Sequence, residues 1–154
     1  MRVHKENKVA HKQKDAMKFK TNGNNAFHKQ RYDEAWKEYT KAIELKVEDD
    51  SFVAILYCNR AAASLALRKF VDAVSDCNMA IALDPSYTRA LHRRADALAS
   101  LGDYSSALRD MNRVPENSLT AEQQSKMREL HRRSKRGNQL DPYLILGKDI
   151  GTCT

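Results

Sequence analysis

The sequence predicts an all-α protein: helical hairpins stacked side by side and closed at the C-terminal end by one further helix. Three observations carry this expectation. Apolar and small residues recur three and four positions apart, the period of a helix face; the pattern repeats three times in register; and loop-forming residues fall between the periodic stretches. At 154 residues the chain suits one domain with a usable core.

Taken in order, residues 1–14 read as a basic, helical N-terminal extension, and residues 15–114 hold the three hairpins, at about 16–49, 54–87 and 88–117. The second helix of each hairpin opens on an aromatic residue three before an alanine: Tyr32 and Ala35, Phe70 and Ala73, Tyr104 and Ala107. Four residues after each alanine come Tyr39, Cys77 and Met111, and three further on Ala42, Ala80 and Val114. Upstream, in the first helices, Phe19, Tyr57 and Leu91 stand in register, as do the small residues Gly23, Ala61 and Ala95. The second and third units are offset by 34 residues, from Ala73 to Ala107, and the first and second by 38, from Ala35 to Ala73, so the Lys46–Asp50 loop holds the extra residues.

Two antiparallel helices approach closely only where side chains are short, and an aromatic then wedges into the gap. Each hairpin leaves one face bare, which the next hairpin covers. Breaks fall at Lys29-Gln30-Arg31, Arg68-Lys69 and Gly102-Asp103, and Asp84-Pro85 ends the second unit, because proline lacks the donor that a continuing helix needs. Val114 in place of alanine, followed at once by Pro115, predicts a short final helix in the third unit. Residues 119–136 read as a capping helix with Thr120 as N-cap; Leu119, Met127 and Leu130 would cover the exposed end of the stack, and Gly137-Asn138 would terminate it.

The bulk chemistry narrows the function. The formal charge is +7, from 27 Lys and Arg against 20 Asp and Glu, which favours an acidic partner without naming it. Cys58, Cys77 and Cys153 match no zinc or redox spacing, and an odd count argues against a secreted disulfide framework; the first two are expected to fill small core positions. His4, His11, His28, His92 and His131 form no metal-ligand spacing. Residues 1–20 are basic and polar rather than a signal sequence, and the apolar run 61–67 is too short to span a bilayer. The expectation is a soluble protein of the cytoplasm, with the nucleus as the alternative compartment, and with no membrane partner, no catalytic residue, no metal and no cofactor.

The polar residues of the first helices are the candidate binding set. Lys20 and Asn24 are four apart and share a face, Asn59 lies on the first helix of the second unit, and Arg89 and Arg93 are again four apart on the third. Cationic heads and amide donors converging in one groove suit a pair of carboxylates.

These residues resemble three tetratricopeptide repeats, and the binding set resembles the dicarboxylate clamp of co-chaperone repeats. The family's Lys-x-x-Gly-Asn is matched by Lys20-Thr21-Asn22-Gly23-Asn24, its Asn-Arg-x-Ala-Ala by Asn59-Arg60-Ala61-Ala62-Ala63, and its Lys-x-x-x-Arg by Arg89-Ala90-Leu91-His92-Arg93, with arginine replacing the lysine. That exchange keeps the charge but alters reach and fork geometry. The resemblance implies a right-handed α-solenoid and a groove that grips the free C-terminal Glu-Glu-Val-Asp of seventy- and ninety-kilodalton heat-shock chaperones.

Residues 137–154 form a tail in which Leu140-Asp141-Pro142-Tyr143-Leu144-Ile145-Leu146-Gly147 is similar to the entry of a J domain, as in plant-type proteins that join these repeats to one. The sequence holds no His-Pro-Asp, the tripeptide that stimulates the chaperone ATPase, so the resemblance implies a member that docks without activating. Two other readings stand beside the adaptor: a scaffold that binds a partner without a free carboxylate, and a nucleic-acid-associated protein using the basic run Arg128 to Arg136, the less favoured of the two.

Overall fold

The computed structural model describes residues 1–145. Among them there is no strand, and the chain runs α1 (Arg2–His28), α2 (Tyr32–Glu44), α3 (Asp50–Ala66), α4 (Phe70–Leu83), α5 (Thr88–Leu101), α6 (Tyr104–Asn112), a 3-10 turn (Glu116–Ser118), α7 (Ala121–Lys135) and α8 (Pro142–Ile145). Each helix packs on the one before it as far as α7, and α3 and α5 also touch, the arrangement of a solenoid. α8 returns to lie against α4. Leu146 and Gly147, which complete the J-domain-like stretch, lie outside the described residues.

The small residues make the helix crossings. Ala35, Ala61, Ala73, Ala95 and Ala107 are wholly buried, and a Cβ on Gly23 would meet the Tyr39 ring at 2.6 Å. Cys58 and Cys77 are buried free thiols among these alanines, and burial pushes the Cys77 thiol up to about 12.

The turn inside each hairpin is the same device used three times. Gln30, Arg68 and Gly102 take left-handed backbone angles, with φ of 59°, 59° and 87°. The following N–H then reaches back to close the preceding helix: Arg31 to the Ala26 carbonyl, Lys69 to Ser64 and Asp103 to Leu98. Only the third position is glycine. There the carbonyl oxygen of Gln139 would lie 1.7 Å from an added Cβ, because the segment after α7 crosses this turn and donates Gln139 and Asp141 N–H groups to the carbonyls of Gly102 and Leu101.

α6 is the shortest of the hairpin helices and ends ahead of Val114 and Pro115. The helix after it starts on a capping box: the Thr120 hydroxyl accepts from the Gln123 N–H and the Gln123 side chain accepts from the Thr120 N–H. Leu119 and Leu130 are buried against Met111 and Val114, with Met127 packed alongside, so α7 covers the end of the third hairpin.

A second periodic feature joins neighbouring hairpins. Arg60 on α3 makes a two-pronged ion pair with Asp76 on α4 (2.9 and 2.7 Å) and donates to the Thr40 hydroxyl on α2 (3.1 Å). Thirty-four residues on, Arg94 on α5 pairs with Asp110 on α6 (2.7 and 2.6 Å) and donates to the Asn78 side-chain oxygen on α4 (2.9 Å). Each guanidinium thus ties its own hairpin to the previous one. In the first hairpin the same positions hold Asn22 and Glu38, joined at 3.4 Å.

Burial raises the Asp76 carboxyl above its ordinary value, and the Arg60 guanidinium offsets part of that shift. Arg60→Met strands Asp76 as a buried, unpaired acid and should cost about 3 kcal/mol in urea unfolding, whereas Arg60→Met/Asp76→Leu should recover most of that loss. An unpaired acid of this kind has a folded pKa above its unfolded one. The penalty of the single variant should therefore be small near pH 4 and grow toward neutrality.

Candidate peptide-binding site

α1, α3 and α5 bring part of the sequence-derived set together. The Asn59 amide nitrogen donates to Asn24 Oδ1 at 3.4 Å, and the Tyr39 hydroxyl donates to the same oxygen at 2.7 Å. Arg93 is anchored one residue before Asn59: its Nη1 donates to the Cys58 carbonyl at 2.6 Å and lies 3.1 Å from Cys58 Sγ. Its remaining N–H groups have no partner among the described residues. Burial pushes the Tyr39 hydroxyl above its ordinary value, and the positive charge of Arg93 partly offsets this, so Asn24, Tyr39, Asn59 and Arg93 share one electrostatic neighbourhood.

Lys20 and Arg89 make no hydrogen bond to this cluster. Lys20 Nζ sits 5.5 Å from the centre of the Phe52 ring, a cation–π contact that holds the ammonium at the end of α3. Arg89 is exposed, near Tyr87, whose hydroxyl burial, with Cys58 alongside, pushes up to about 12.

The polarity of the centre follows from these contacts. With two donors on its oxygen, Asn24 presents an amide nitrogen that has no partner among the described residues. Arg93 presents guanidinium N–H groups. What remains to be satisfied is mainly donor character, which a carboxylate with its several lone pairs can meet.

Tyr39 and Cys58 are the residues that sequence reasoning treated only as packing. Tyr39 carries a hydroxyl at a repeat position that holds Cys77 and Met111 in the other units, and that polar departure at a core position was the available signal. Cys58 contributes chiefly a backbone carbonyl, which no residue identity announces. The basic run of α7 is partly engaged within its own fold: Glu129 pairs with Arg132 and Arg133, and the Arg133 guanidinium lies 5.4 Å from the Tyr104 ring centre. Among the described residues no group of three or more His, Cys, Asp or Glu could hold a metal ion, and no helix is long and apolar enough to cross a membrane.

The fold defines a helical-repeat domain, and comparison with known proteins gives its family. No protein-family model matches the chain. It is 35% identical over 130 residues to human DnaJ homolog subfamily C member 7, covering 84% of this chain and 26% of that protein. It also resembles the first TPR domain of Spaghetti (RPAP3), solved bound to the HSP90 peptide SRMEEVD (TM-score 0.72, 35% identity, 79% of this chain and 94% of that one). A third similarity is to the second TPR domain of human RPAP3, solved with the HSP70 peptide SGPTIEEVD (TM-score 0.70, 31% identity, 78% and 98%). The chain belongs to the tetratricopeptide-repeat family. It spans about a quarter of the length of the curated relatives it matches.

Gly23→Ala should gain helix propensity but drive the Tyr39 ring out of place. The expected net loss is on the order of 1–2 kcal/mol in urea unfolding, since overpacking outweighs propensity. A shift of the Asn24 side-chain amide resonances should accompany it as the Tyr39 hydrogen bond breaks.

Proposed function

We propose that this chain is a co-chaperone adaptor that binds the acidic C-terminal peptide of cytosolic seventy- and ninety-kilodalton heat-shock chaperones. The observation that carries this reading is the cluster of Asn24, Asn59 and Arg93, in which internal contacts occupy the Asn24 oxygen and leave the Asn24 amide nitrogen and further Arg93 N–H groups unpaired among the described residues. The solved relatives that hold HSP90 and HSP70 peptides ending in Glu-Glu-Val-Asp support it.

In this reading the terminal carboxylates lie over the Asn24 and Asn59 amides and the free edge of the Arg93 guanidinium. Lys20 and Arg89 close in from either side. Arg89 replaces the family's lysine with a planar fork, which favours two-pronged contact with a carboxylate. Binding is the whole of the activity: the chain acts in the cytoplasm as a docking partner rather than a catalyst, needs no cofactor, and does not use nucleic acid.

Hydrogen bonds to a charged group contribute roughly 1.5–3 kcal/mol each, and ordering a flexible peptide offsets part of the sum, which gives affinity on the order of micromolar. Calorimetric titration with a peptide ending in Glu-Glu-Val-Asp should show binding of the free acid and little or none of the C-terminal amide. Arg93→Ala should weaken binding about 10- to 100-fold with the helical circular dichroism unchanged, and raised salt should weaken it as well. Equal affinity for acid and amide would replace the clamp with a general scaffold, and no binding of either would remove the chaperone assignment.

A further inference from the structure

α7 sits at the end of the stack with one side open. Between α6 and α7 lies a valley of about 880 Å³. Its floor is apolar, made by Leu108, Val114, Leu119 and Met127, and its rim carries Arg113, Arg128 and Arg132. Glu116 is the one acid in the lining.

The preceding step of the solenoid shows what such a valley receives. There Val74, Asn78, Arg94 and Leu98 line the space beside α6, and α6 closes it by bringing Asp110 to Arg94 while Arg94 also reaches Asn78. One step earlier α4 does the same with Asp76, Arg60 and Thr40. Thirty-four residues after Val74, Asn78 and Arg94 come Leu108, Asn112 and Arg128, and all three line the open valley. The helix that would close it, with its acid, is missing from the described residues. α8 does not supply it, since it packs against α4.

We propose that this valley docks an amphipathic helix of a partner protein, with its apolar stripe on Leu108, Val114, Leu119 and Met127 and acidic residues toward Arg113 and Arg128. The charge argument fixes the sign. Neither Arg113 nor Arg128 has an acidic partner among the described residues, whereas Arg132 already shares Glu129 with Arg133. A helix in a groove gains its affinity from the apolar stripe and its selectivity from the flanking charges. The site uses none of the residues assigned to carboxylate-terminated peptides, so it stands independently of that reading.

The test uses two synthetic, stapled helical peptides that reproduce the apolar face of α6, the helix that closes the preceding valley. Both are C-terminally amidated, and the flanks are glutamate in one and lysine in the other. Titrated into the 15N-labelled chain, the glutamate peptide should move amide resonances of α6 and α7 and leave those around Asn24 and Asn59 unmoved. Its affinity should fall about tenfold in Arg128→Glu, an exposed position whose change leaves the fold intact, and the lysine peptide should bind about tenfold more weakly. Equal binding of the two peptides, shifts confined to other helices, or no shifts at all would overturn the proposal. So would concentration-dependent self-association that Met127→Asp abolishes, since the occupant would then be a second copy of this chain.

Discussion

Where the two helices of each hairpin cross, the backbones come close enough to admit a hydrogen atom or a methyl group, and the rest of the molecule is arranged around that limit. Gly23 faces Tyr39, and wholly buried alanines occupy the equivalent places in the other two hairpins. The close approach brings the Tyr39 ring against α1 at Gly23, and from there its hydroxyl reaches Asn24. The binding centre is thereby linked to the packing of the core: the atom that sets the orientation of the Asn24 amide belongs to a residue that is 2% exposed. A larger residue at position 23 would disturb recognition through the core rather than by touching a ligand.

The paired arginines answer a different requirement. Alanine seams are smooth, and smooth seams permit sliding. Burying an ion pair adds little net stability, because removal from water costs about as much as the attraction returns. It does fix register: Arg60 and Arg94 each meet a carboxylate on one neighbouring helix and a neutral oxygen on another, and a shift of one helical turn would break both contacts. In the first hairpin the longer and weaker Asn22–Glu38 contact stands at the same positions.

The three hairpins and the Thr120 cap were legible in the sequence because each rests on local signals: periodicity, breakers and short-range hydrogen-bonding side chains. The stripe Lys20–Asn24 and the pair Arg89–Arg93 were legible for the same reason, since spacing along one helix determines a shared face. What was not legible depends on distances between helices. Arg60 lies inside the Asn59–Ala63 motif, yet its partner Asp76 is identified only once α4 is packed on α3. The anchoring of Arg93 on the Cys58 carbonyl is likewise a product of α3 meeting α5. Gly102 reads as an ordinary helix terminator, but Gln30 and Arg68 make the same turn without glycine. The passage of Gln139 across it is the additional constraint.

α1 is a single unbroken helix of 27 residues, of which only the half from Ala16 onward is packed into the stack. The earlier half contains no proline or glycine that would stop it. Isolated in water, so short and cationic a segment would be a poor helix, because starting a helix is far harder than lengthening one. Here the packed half serves as a permanent nucleus, and the remaining turns form by propagation alone. The equilibrium length of this rod is then a helix–coil balance, shortening from its unpacked end on warming while the solenoid stays intact, and lengthening when an anion lies along its lysines.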